Sequence, residues 1–168
     1  MDRGKENLKV QKWVVATAIT MFLVKITAYF LTRSVAILTD ALESTVNVMA
    51  GLIGWYSLYV SAKPRDKDHP YGHGKAEFIS AAVEGTLIVI AGIVILVEAT
   101  DNFIHPRELY QLDTGLFLVA ATAAVNFIIG YISIQKGKKN NSPALIASGR
   151  HLHTDTWSTV GIIAGLIL

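Results

Sequence analysis

Five stretches of this chain, about 13–32, 35–61, 77–100, 113–135 and 142–168, are apolar over the length a helix needs to cross a bilayer. No other feature restricts the fold as much. A chain of 168 residues, 52% hydrophobic, would not arrange its apolar residues this way to build a soluble core. In lipid each backbone N–H and C=O must be satisfied within its own segment, so the runs read as helices. The expected fold class is an all-α, multi-pass transmembrane helix bundle, with the lipid bilayer as its first partner. The expected division is a segment 1–12 in the cytoplasm followed by a transmembrane domain over 13–168.

The breaks between runs carry turn and charge signals. Lys63-Pro64-Arg65-Asp66-Lys67-Asp68-His69-Pro70 ends the second run, and Pro106 sits in the third connection. Gly137-Lys138-Lys139-Asn140-Asn141-Ser142-Pro143 reads as a loop and then a helix start, with Ser142 as N-cap and Pro143 at the first helical position. The first run is too long for a signal-peptide core and is followed by Thr32-Arg33-Ser34 rather than a small-residue cleavage site, so it reads as a span.

Basic residues alternate between connections. Arg3, Lys5, Lys9 and Lys12 precede the first span. Lys63, Arg65, Lys67 and Lys75 lie between the second and third, and Lys136, Lys138 and Lys139 between the fourth and fifth. The other connections hold Arg33 and Arg107. The positive-inside rule then places the N-terminus in the cytoplasm. The sequence stops inside an apolar run at Gly161–Leu168, which suggests a fragment lacking a further span.

Two spans carry ionisable groups in their interior. Glu43 and Asn47 stand four residues apart in the second, and His151 and Asp155 four apart in the fifth. That spacing puts each pair on one helix face. Ionisable groups within a membrane usually face the bundle interior and serve a function there. At 1.5 Å per residue each pair lies roughly 12–18 Å below its own boundary, near the middle of a hydrocarbon core about 30 Å thick. The pairs read as half-sites of one cation site. One imidazole nitrogen and three oxygens suit a divalent ion: Zn²⁺ first, with Mn²⁺, Fe²⁺ and Co²⁺ as alternatives. There is no cysteine, so thiolate ligands are excluded. Two carboxylates against one dication approach neutrality, and exchange of the ion for H⁺ would preserve it.

Other groups are weighed beside these. Asp40 shares a face with Glu43 and is an alternative to Asn47 as ligand. His153 points roughly 200° away from His151 and reads as an interface group. Lys25, Glu84 and Asn126 read as interhelical contacts. Taken singly, each ligand pair can also be read as a polar clamp between helices.

The loop Asp66-Lys67-Asp68-His69-Pro70-Tyr71-Gly72-His73-Gly74-Lys75-Ala76-Glu77 resembles the H-x-[FY]-G-H-x-K-x-E signature of the cation diffusion facilitator family of metal/proton antiporters. His151 and Asp155 match the family's H-x-x-x-D pair. Glu43 and Asn47 occupy positions where the family usually has Asp or His and then Asp, and Asn cannot titrate. The resemblance covers essentially the whole chain. It implies a six-span fold of which five are present, a homodimer, and usually a C-terminal cytoplasmic domain. It also implies a second metal site in the loop, at Asp66, His69 and His73, and a Lys75 that pairs with an acidic group at the dimer contact.

The expected function is a secondary transporter in a bacterial inner membrane, exporting a divalent transition metal in exchange for protons. The alternative is a regulatory or structural membrane subunit that keeps a metal site without transport. No H-E-x-x-H or comparable set points to a membrane metalloenzyme, and no glycine-rich phosphate loop to ATP as energy source, so the chain is not expected to be an enzyme. No nucleic-acid partner is expected.

Overall fold

The computed structural model describes residues 3–32, 35–104 and 112–167. Arg33, Pro106 and Arg107 and the side chain of Asp40 lie outside the described residues. Five helices follow one another: α1 (Arg3–Thr32), α2 (Val35–Ser61), α3 (Ala76–Ile104), α4 (Leu112–Asn140) and α5 (Pro143–Ile167). They are 25 to 30 residues long. At 1.5 Å per residue that is about 38–45 Å, longer than a hydrocarbon core of about 30 Å. Among the described residues, Arg3–Thr27 and Ala76–Val94 are long and apolar enough to cross a membrane on length and composition alone. α5 is diluted by Arg150, His151, His153 and Asp155 in its middle.

Apart from Val14, Leu152 and an apolar cluster of Leu58, Ala144 and Leu145, the described interior is mostly small or polar, while large apolar side chains crowd the exterior. Ala18, Ala41, Ala50, Ala123 and Ala144 are buried, together with Asn7, Gln11, Ser57, Ser80, Glu84, Ser133 and Ser148. On α3, Ile79, Val89, Ile90, Ile93, Val94, Leu96 and Val97 are half or more exposed. A soluble bundle would show the reverse. Lipid removes the hydrophobic drive between helices, so close packing of small residues and hydrogen bonds between helices take its place.

α5 is the central element and touches each of the other four. Its contact with α4 runs through reciprocal glycines. A Cβ on Gly149 would stand 2.7 Å from the Gly130 carbonyl oxygen, and one on Gly130 would stand 2.9 Å from that of Gly149. Gly137, two turns beyond Gly130, lies equally close to Ile146. α1 and α2 form the other extensive pair, with Gly51 against Val15.

The α4–α5 connection is set by local chemistry. Asn141 adopts a left-handed conformation (φ 54°). Ser142 N–H donates to the Gly137 carbonyl and Asn141 N–H to that of Lys138, the paired bonds that close a helix C-terminus. Ser142 Oγ then accepts from Leu145 N–H at 3.4 Å, making it the N-cap of α5 with Pro143 first in the helix. Glu77, in the first turn of α3, gathers three helix ends. Its carboxylate accepts from Ser61 Oγ at the end of α2 and from Ser142 Oγ at the start of α5.

Candidate metal centre

α2 and α5 meet through the side chains of Asn47, His151 and Asp155. Asn47 Nδ2 donates to Asp155 Oδ2 at 2.8 Å, and His151 Nε2 stands 2.9 Å from Asn47 Oδ1. The three side chains form one chain of polar contacts, with the asparagine amide as the bridge. His151 is buried, with Nδ1 enclosed and unpartnered, while Asn47 and Asp155 are half-buried. His151 and Lys25, the latter from α1, both bear electrostatically on Asp155.

Glu43 sits one turn before Asn47 and is exposed. Among the described residues, Glu43, His151 and Asp155 do not draw their ligand atoms into one tight cluster. The i, i+4 spacing puts Glu43 and Asn47 on neighbouring positions of one face but does not equalise their depth. Asn47 is half-buried and turned to α5, while Glu43 is exposed. The donors that do converge are one imidazole nitrogen, one amide oxygen and one carboxylate oxygen, a set that fits a hard or borderline divalent cation.

His153 stacks on Phe127 of α4, ring centroids 5.0 Å apart and planes 7° apart, and lies over Gly130. It belongs to the α4–α5 contact and not to the cluster with His151. Glu84 is an interhelical contact: its Oε1 accepts from Ser80 and from Ser148 of α5. The sequence reading did not anticipate its partners. Gln11, Ser80 and Ser148 are scattered polar residues with no spacing that marks them as a group.

The tightest cluster of ligand-type atoms lies in the α2–α3 loop. Asp66, His69 and His73 each offer one ligand atom, all within 4.8 Å of one another. Asp66 Oδ1 accepts from the His69 backbone N–H at 2.7 Å and lies 3.0 Å from His69 Nδ1, and Oδ2 lies 3.3 Å from His73 Nε2. The turn between the imidazoles needs a left-handed residue, supplied by Gly72 (φ 85°), whose N–H donates to the His69 carbonyl. The rings approach to 4.3 Å between centroids. Partial desolvation pushes the Asp66 carboxyl up. The bonds from the His69 ring and amide, with the His69 and His73 charges, outweigh it and hold the group below its ordinary range.

Comparison with known proteins places the chain in a family. Residues 12–168 match the family model described as the cation efflux transmembrane domain. The chain is 38% identical over 154 residues to a Synechocystis protein described as uncharacterized transporter sll1263, covering 92% of this chain and 50% of that protein. It is 35% identical over 135 residues to the manganese efflux system protein MneP of Bacillus subtilis, covering 80% and 45% respectively. It is 25% identical over 155 residues to the cation-efflux pump FieF of Pectobacterium carotovorum, covering 91% and 51%. The chain thus spans about half the length of the curated relatives it matches. With a match over nearly its whole length, the chain belongs to the cation efflux, or cation diffusion facilitator, family, as its helical transmembrane domain.

Proposed function

We propose that this domain belongs to a secondary transporter that exports a divalent transition metal from the cytoplasm in exchange for protons. The observation that carries the reading is the Asn47–His151–Asp155 junction, where two helices bring an imidazole, an amide and a carboxylate together in the bundle interior. Glu43 completes the set when α2 and α5 shift enough to bring it inward. Rocking of helices about such a site exposes it to one side and then the other. The family and the efflux relatives support export of a metal cation.

The donor set favours a harder ion. One nitrogen against amide and carboxylate oxygens, with no thiolate, suits Mn²⁺ or Fe²⁺ as well as Zn²⁺ or Co²⁺. With a manganese efflux protein among its relatives, we take Mn²⁺ as the first ion to test in place of the Zn²⁺ expected from the sequence. Asp66, His69 and His73 form a second, loop-borne metal site that binds without moving its ion across the membrane. The protein works as a homodimer in a bacterial inner membrane, its N-terminus in the cytoplasm with the basic connections, and it is not an enzyme.

Metal uptake into inverted membrane vesicles tests this reading. Wild type takes up ⁵⁴Mn²⁺ when the vesicle lumen is acidified, and Asp155→Ala abolishes that uptake while His69→Ala leaves a measurable rate. Full uptake in Asp155→Ala would refute the transport site. Stoichiometric metal binding with no flux would favour the non-transporting alternative, which the exposed position of Glu43 keeps in view.

A further inference from the structure

A second ionisable group is buried deeper than the metal-capable cluster, and the transport site does not use it. Glu84 is 1% exposed and Gln11 is fully buried. They meet where α1, α2, α3 and α5 cross. Ser148 Oγ donates to Glu84 Oε1 at 2.9 Å and Ser80 Oγ at 3.3 Å. Gln11 Nε2 donates to Ser148 Oγ and to the Gly51 carbonyl, each at 3.1 Å. The space for this meeting exists because residue 54 is glycine: a Cβ there would lie 2.6 Å from Gln11 Nε2, 2.9 Å from Glu84 Oε1 and 3.2 Å from Ser148 Oγ.

The bonding is lopsided. Both donors address Oε1, while Glu84 Oε2 and Gln11 Oε1 are buried without a hydrogen-bond partner among the described residues. The described groups around Glu84 are Ser80 from its own helix and Ser148 from α5, which bond it, with Gln11 of α1 bonded to Ser148 and Gly54 of α2 alongside, all uncharged. An ionised carboxylate there would have no counter-charge and one unanswered oxygen, and an unpaired buried charge is costly. A proton on Oε2 removes the charge and turns that oxygen into a donor.

The location gives the proton a route. Along α3, Glu77, Ser80 and Glu84 lie on one face at i, i+3 and i+7. Along α5, Ser142 bonds Glu77, Ser148 bonds Glu84, and His151 follows one turn later against Asn47. Polar side chains thus step from the Glu77 end of the bundle to the metal-capable cluster, with Glu84 midway. The ionisable neighbours on this ladder are Glu77, two turns to one side, and His151 on the other. Ser148 is the link that α5 must strain when it moves.

We infer that Glu84 is a proton-binding site, loaded in this conformation, that relays protons between the Glu77 end of the bundle and the Asn47–His151–Asp155 cluster. When the four-helix crossing loosens, the Oε2–H bond breaks, the proton passes to water, and the carboxylate is reprotonated when the crossing closes. As a step in transport this rests on the proposed exchange of metal for protons. As a proton site it does not.

Infrared difference spectroscopy of the protein in bilayers tests the proton site without requiring transport. A protonated-carboxyl C=O band is expected at neutral pH, declining as pH is raised, and Glu84→Gln removes it. In proteoliposomes, Glu84→Gln binds Mn²⁺ with wild-type affinity but moves fewer protons per Mn²⁺ and loses the pH dependence of flux, whereas Glu84→Asp retains both. An unchanged carboxyl band in Glu84→Gln overturns the proton site. A wild-type proton-to-Mn²⁺ ratio in that variant overturns the relay. If wild type carries no Mn²⁺, the transport reading fails while the infrared result still decides the site. If Glu84→Gln does not fold, the carboxyl band of Glu84→Asp decides instead, supporting the site if displaced from the wild-type frequency and overturning it if unmoved.

Discussion

Asp66 holds its loop through both carboxylate oxygens, one on the His69 amide and ring and the other toward His73. Its folded carboxyl lies below the ordinary range, so its contribution to loop order is complete above that range, about pH 4. The contribution is lost as pH falls through the lowered value. At neutral pH the His69 amide is therefore protected from hydrogen exchange, and Asp66→Asn accelerates its exchange. Protection should also fade in wild type on acidification below the ordinary carboxylate range. Equal exchange rates in wild type and variant would show that the carboxylate does not hold the turn. The candidate residues were legible to different degrees. Asn47, His151 and Asp155 could be paired because helical rise fixes depth and four-residue spacing fixes a face. The exposure of Glu43 could not be read, since it depends on how α2 packs against its neighbours. Glu84 was legible as a contact, but the network around it joins its own helix to α5 and, through Gln11, to α1 and α2, in no shared pattern.

Helices, by contrast, follow from the apolar runs and the local caps. Ser142 and Pro143 start α5 as their chemistry requires, and Asn141 supplies the left-handed residue that ends α4. The sequence did not show which faces would meet. The α4–α5 contact depends on Gly130 and Gly149, which bring two backbones close enough that each would clash with a side chain on the other. Glycines look alike in a sequence whether they line a contact, as these do, or face open space, as Gly85 and Gly92 do. Gly149→Val should therefore destabilise the bundle by about 1–3 kcal/mol or more through overpacking, while Gly92→Val should be near neutral. Thermal unfolding in detergent compares the two. Equal transitions would mean that the helices separate without cost at this crossing.

At the scale of the whole molecule, the other four helices are organised around α5, which carries two of the three residues of the metal-capable cluster and, through Ser148, two bonds of the Glu84 network. The overall class was legible from hydropathy because lipid leaves so few ways to satisfy a backbone. The inside-out distribution of side chains, polar within and aliphatic without, emerges only once the helices are packed. One carboxylate, that of Glu77, ties the ends of α2 and α5 to the start of α3. Removing it in Glu77→Ala leaves the buried Ser142 hydroxyl and the half-buried Ser61 hydroxyl without this acceptor, at about 1–3 kcal/mol for the buried one. Hydrogen exchange should then rise together at all three helix ends. A rise confined to α3 would show the ends to be independent. Tongs riveted at one tip can part only at the other. While that rivet holds, the bundle can widen only away from Glu77; exposing Asn47 on the Glu77 side requires the carboxylate first to let go of Ser61 and Ser142.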